Sequence, residues 1–178
     1  MSKYGEILSK DSVRFVRDLP GPLARVWDYL TVSDKRATWF CGGETEQRVG
    51  GRFEMHFHNA SLSSEPDDPP PEKYKDLPEK MEFVGEVTVC EPMTRLAYIW
   101  PDGDEQSEVL FELEERGDRV LLTLTHTRLW NRDAVLGVCG GWHTHLDILG
   151  DVLDGKGSRP FWKSHTGLEA EYEDKIPA

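Results

Sequence analysis

One stretch near the C-terminus constrains the rest of the chain. After Asn131, the residues Val135, Val138, Cys139, Trp142, Leu146, Leu149 and Leu153 recur at helical spacing for about five turns. Asn131 is placed to cap this helix, because its side chain can accept from a free backbone N–H. An apolar stripe of that length must be covered. The preceding residues supply the cover as four strand-like runs at 81–90, 95–100, 107–115 and 119–127, separated by Glu91-Pro92, Pro101-Asp102-Gly103 and Arg116-Gly117-Asp118. Phe83, Val87 and Val89 share one face; so do Leu96, Tyr98 and Trp100, then Val109, Phe111 and Leu113, then Val120, Leu122 and Leu124. Successive hairpins predict an antiparallel meander whose apolar face lies on the helix.

Upstream, residues 12–17 alternate as a first strand, and 1–11 read as an N-terminal tail. Leu23, Val26, Trp27 and Leu30 form one helical stripe after Pro20-Gly21-Pro22. Ser33 is expected to cap a second helix running toward Trp39 and Phe40, which Gly42-Gly43 ends. Gly50-Gly51 opens a strand with Phe53, Met55 and Phe57 on one face and Arg52, Glu54, His56 and His58 on the other. Residues 59–80, rich in Pro, Ser and charge, have no sustained period and are expected to be a mobile excursion long enough to act as a lid. Gly155 and Gly157 end the long helix, residues 160–172 restart a shorter one, and 173–178 read as a polar tail. The domain is expected at 12–154, with 155–178 as a partly helical extension.

The chain of 178 residues has room for one domain. Its six Trp, seven Phe and five Tyr furnish a core without disulfides. A formal charge of -12 repels phosphates and anionic headgroups, so nucleic acid and acidic membranes are poor partners. The N-terminal residues lack an apolar leader and no run of about 18 apolar residues occurs, which predicts a cytoplasmic protein without membrane insertion. Cys41, Cys90 and Cys139 are odd in number and scattered, and read as free thiols.

Strand, two short helices, a run of antiparallel strands and a long amphipathic helix make an α+β order. Within it, ARVWDYLT, ATWF, VGGRFEM, GEV followed by CEPMTRLAYIW, LTLTH and GGWHTHLDIL stand in a sequence that resembles the SRPBCC, or START and Bet v 1-like, superfamily. Trp27, Trp39-Phe40, Gly50-Gly51, Gly85, Pro92, Leu96, Trp100, Thr125-His126 and Gly141-Trp142 are similar to the family named for its likeness to the heat-shock-protein-90 ATPase activator. The resemblance spans about residues 13–153 and implies a helix-grip fold, a curved antiparallel sheet wrapped around the C-terminal helix, with a ligand-sized cavity between them. Two departures stand out: 59–80 is longer than the usual hairpin there, and 155–178 runs past the usual family end.

Trp39, Phe53, Met55, Phe57, Trp100 and Trp142 are candidate cavity residues, since large rings give contact area at little rotamer cost; each also fits plain core packing. His126, at a strand end, and Tyr98 complete the set, His126 either presenting an imidazole to a ligand or making a structural hydrogen bond. Gly140-Gly141 within the long helix implies a close approach to sheet or ligand. His56 and His58 have metal-compatible i, i+2 spacing but no identifiable third ligand, and His143 pairs better with Asp147 than with His145. No metal and no cofactor are expected, because GxSxG, GxxxxGK[ST], HExxH and GxGxxG are all absent. The expected function is binding of a small apolar molecule rather than catalysis. The alternatives are a co-chaperone-like regulator with a heat-shock ATPase as protein partner, and a polyketide cyclase or dehydratase using His126 or Tyr98. A homodimer is left open.

Overall fold

The computed structural model describes residues 2–176. Among them, seven strands form one antiparallel sheet: β1 (Glu6–Ser9), β2 (Ser12–Pro20), β3 (Arg52–Phe57), β4 (Met81–Glu91), β5 (Arg95–Asp102), β6 (Glu105–Arg116) and β7 (Arg119–Thr127), in the order β1-β2-β7-β6-β5-β4-β3. The helices are α1 (Leu23–Thr31), α2 (Ser33–Arg36), α3 (Arg132–Leu153) and α4 (Phe161–Lys175). This is the helix-grip α+β fold. The meander is as the alternation predicts, and β2 pairs with β7, joining the first long strand to the last.

The inward rows explain why the sheet holds α3. Val120, Leu122, Leu124 and His126 on β7 and Val109, Phe111 and Leu113 on β6 are buried. Across them lie Leu146, Leu149 and Leu153 of α3. Burying each large aliphatic or aromatic side chain contributes about 1.5–3 kcal/mol. Asn131 Oδ1 accepts from the Ala134 N–H at 2.8 Å, so the expected cap is in place. α4 covers the side of α3 away from the sheet, which is why His143, Thr144 and His145 are buried as well.

Several details differ from the sequence reading. The tail at 1–11 contains β1, which pairs with β2, and β2 runs on to Pro20. Ser33 does not cap α2: its Oγ accepts instead from the Gly43 N–H at 3.0 Å. α2 stops at Arg36, well short of Trp39, because the Arg36 guanidinium turns into the carbonyls of Cys41, Gly43 and Glu54 at 2.9, 2.7 and 2.6 Å. On β4 the register slips between Val87 and Val89, so Cys90 rather than Val89 packs on the core, as a bulge reverses the faces beyond it. α4 continues to Lys175 and Ile176 is buried, so 173–176 of the expected polar tail belong to the helix and the core, and 177–178 lie outside the described residues. The free state of Cys41, Cys90 and Cys139 is as read.

The excursion at 59–80 has only two short 3-10 turns, Asn59–Ser61 and Glu72–Tyr74, yet it is tied down to α4. The Asp67 carboxylate accepts from the Trp162 and Lys163 N–H groups at 2.8 and 3.0 Å, and Ser63 Oγ accepts from the Phe161 N–H at 2.9 Å. Burial opposes ionisation of Asp67, but these backbone donors prevail and hold its carboxyl below its ordinary value. Farther along, Tyr74 OH donates to the Glu169 carboxylate at 2.9 Å, and Lys73 pairs with the same carboxylate. The insertion and the extension therefore satisfy each other: the first caps the helix that the second forms.

Candidate functional site: a cavity at one end of the grip

The concave face has two unlike ends. At one, the expected cavity residues fill space rather than line it. Phe53 stacks on Tyr98 with ring centroids 3.7 Å apart, and Arg36 lies 4.3 Å from the Phe53 ring. Met55 is fully buried, and the Trp39 indole donates to the Tyr29 carbonyl at 2.8 Å. Trp39, Phe53, Met55 and Tyr98 thus belong to the packed core. Tyr98 is also removed from acid-base chemistry, since burial pushes its phenol well above the usual range.

At the other end the side chains part around a cavity of about 980 Å³, bounded by the sheet, α3, α4 and the 59–80 segment. Phe57, Trp100, His126 and Trp142 line it. Phe57 stacks on Trp100 at 5.5 Å, and Trp142 meets Trp100 edge-on at 6.0 Å. The α3 face toward the cavity carries Ala134, Gly137 and Gly141, and a Cβ added at Gly141 would meet nothing within 4 Å. Gly140 differs, because its would-be Cβ lies 3.4 Å from His165 and Glu169 of α4. The glycine pair thus serves a helix contact with one residue and open space with the other.

His126 is held in one tautomer. The Trp142 indole N–H donates to its Nδ1 at 3.0 Å, so the ring proton is on Nε2, which stands 2.8 Å from Ser107 Oγ. Burial lowers its pKa to about 3, and the ring stacks on Trp100. The Ser107–His126 distance is that of a nucleophile and its base. The tautomer is the wrong one, since Nε2 already carries the proton it would have to accept. Both nitrogens of His126 are engaged by the protein, so the structural-bond reading of this residue holds and it is not poised as a base.

The sequence reading missed the histidines under α4. His145 Nδ1 donates to the Trp39 carbonyl at 2.8 Å, and burial lowers its pKa to about 4. Its ring lies against Phe40 and Phe161, and it lines the cavity together with His165 and Trp162. α3 could have flagged His145, which follows Ala134, Gly137, Val138 and Gly141 along one helical face, a row of small residues broken by a ring. His143 points the other way: Tyr172 OH lies 2.9 Å from its Nδ1, and its Nε2 is 3.8 Å from Asp147. His56, on the outer face of β3, and His58, just past its end, lie beside Glu54 and Glu79, and no cluster of three metal-binding side chains occurs among the described residues. No helix of the described residues is long and apolar enough to cross a membrane.

The family model described as Activator of Hsp90 ATPase homolog 1-like protein matches residues 20–154. Among solved structures, the protein encoded by gene BPP1335 of Bordetella parapertussis is 42% identical, with a TM-score of 0.81 over 99% of this chain and 92% of that one. CalU16 from Micromonospora echinospora is 24% identical, with a TM-score of 0.68 over 94% of this chain and 89% of its own, a likeness of fold. No curated protein matches. The family match ends with α3 and leaves out α4, whereas the Bordetella alignment covers 99% of this chain. With the grip, its cavity and these matches in agreement, the chain belongs to the Activator of Hsp90 ATPase homolog 1-like family of the SRPBCC superfamily.

Proposed function

We propose that the protein binds a small, flat, apolar molecule in this cavity. The observation that carries the reading is the space itself: about 980 Å³ walled by the rings of Phe57, Trp100 and Trp142 at one end of an otherwise close-packed grip. Close packing is the rule inside proteins, and an opening of this size lined by rings has the form of a small-molecule site. Trp130 and Leu77 are exposed at its rim and give an apolar entry. The reading places the protein in the cytoplasm, as a monomer or a homodimer.

Binding rather than turnover is favoured because His126 is fixed as a neutral donor and Tyr98 lies outside the cavity. The co-chaperone alternative rests on the family's name and an acidic surface. Native mass spectrometry of freshly purified protein, under gentle and then denaturing conditions, tests the proposal. A copurified apolar compound released on denaturation is expected. An empty chain that also fails to quench its tryptophan fluorescence with a panel of polycyclic aromatics would remove the proposal.

A further inference from the structure

The cavity is apolar over most of its wall but not under α4. His145 is 6% exposed and lines the cavity. A carbonyl can only accept, so the bond from Nδ1 to the Trp39 carbonyl fixes the ring proton on Nδ1 and leaves a bare lone pair on Nε2. Nε2 has no hydrogen-bond partner among the described residues. Asn59 also lines the cavity, in the turn that packs on α4, and its Oδ1 is buried without a partner. His165, 5% exposed, adds a buried unpartnered Nδ1 that stands 3.6 Å from the Glu169 carboxylate. The Phe161 ring joins the two histidines, lying 5.0 Å from His145 and 5.6 Å from His165.

Two of these atoms, His145 Nε2 and Asn59 Oδ1, are acceptors. Asn59 Oδ1 is the buried one of the two, and a site built to pair with a ligand O–H or N–H rejects the analogue that lacks it. The charged groups around the opening are Asp67, Asp68, Glu79 and Asp102 against Lys75, an acidic balance unfavourable to anions.

We infer that His145 Nε2 and Asn59 Oδ1 form an acceptor subsite beneath α4 that selects uncharged aromatic ligands carrying a hydroxyl or N–H donor over their capped or carboxylate analogues. The inference rests on the container reading above and adds the polarity of the occupant. The ligand's rings lie along Trp100 and Trp142, and its donor reaches toward α4.

Tryptophan quenching with 2-naphthol, its methyl ether 2-methoxynaphthalene and 2-naphthoate at pH 7.5 tests it, on the full chain and on the His145→Phe and Asn59→Leu variants. Naphthol is expected to bind about tenfold tighter than the ether, as one hydrogen bond to a buried acceptor provides, and naphthoate weakest. In His145→Phe the naphthol-to-ether ratio falls toward one while the ether still binds, which shows an intact cavity. Asn59→Leu, which removes no other side-chain bond, lowers the ratio as well. Equal affinities in the unaltered protein, naphthoate binding best, or a ratio that survives both substitutions would overturn the subsite while leaving the container intact. Failure of all three probes to bind would overturn the container reading and the subsite with it.

Discussion

The two ends of the concave face use similar residues to opposite effect. Phe53, Tyr98 and Trp39 at one end and Phe57, Trp100 and Trp142 at the other are aromatic residues on the same faces of β3 and β5, in the turn after α2 (Trp39) and on α3 (Trp142). At the first end, α2 and the loop after it close on the sheet. Arg36 reaches into that loop's carbonyls and over Phe53, and the rings collapse face to face. At the second, α3 presents Gly137 and Gly141, and the covering elements are the 59–80 segment and α4, which bond chiefly to each other. Whether a ring becomes core or cavity wall is decided here by the residue opposite it.

A substitution at the filled end should cost the most stability. Arg36→Leu strips donors from four carbonyls, those of Cys41, Gly42, Gly43 and Glu54, and should cost about 4 kcal/mol in urea unfolding. Trp100→Ala at the hollow end should cost less than half of that, while weakening binding of a polycyclic aromatic at least about tenfold. Equal stability losses at the two sites would erase the distinction between the ends.

Acid should act mainly through α3 and the hollow end. His126, His143 and His145 have folded pKa values lowered to about 3, 4 and 4, mainly by burial, against an unfolded value of about 6.5. The unfolded state therefore binds more protons below about 6.5, so their contribution is complete above that pH and falls as pH drops toward the folded values. The slope is about 1.4 kcal/mol per pH unit for each histidine. Urea midpoints at pH 7.5, 6 and 5 should decline accordingly, and His126→Asn should flatten the decline. A midpoint unchanged down to pH 5 would mean that these rings are hydrated.

The smallest effect is the most informative about design. Gly141→Ala meets no neighbour and removes a mid-helix glycine, so stability should rise by up to about 1 kcal/mol. Cavity volume and aromatic affinity should fall together, measured by thermal melts and by quenching. Loss of stability would mean that the helix, not the cavity, requires this glycine.

Much of the fold was legible because its signals are periodic and local: the stripe of α3, the alternation of β5 to β7, the Asn131 cap. The bulge at Val87–Val89 was not, because one extra residue reverses a face without altering composition. The early end of α2 escaped for a similar reason, since the partners of Arg36 lie in a loop and on β3. Half of the expected cavity residues line the cavity. Trp39, Phe53, Met55 and Tyr98 do not, because aromatic character alone does not tell a wall from a core. His145 had a local cue in its place on the small-residue face of α3, but its bond to the Trp39 carbonyl and the bonding of 59–80 to α4 depend on pairings across about 100 residues, such as Asp67 with Trp162, for which a single sequence holds no local signal.

On this account one end of the grip is hollow and receptive while the other is solid. Titration of isotope-labelled protein with 2-naphthol, followed by NMR, tests it most directly. Saturable shifts at Trp100, Trp142, Gly141 and His145, with Phe53, Tyr98 and Arg36 unmoved, are the predicted result. Shifts centred on Phe53 and Tyr98, or scattered over the surface without saturation, would contradict it.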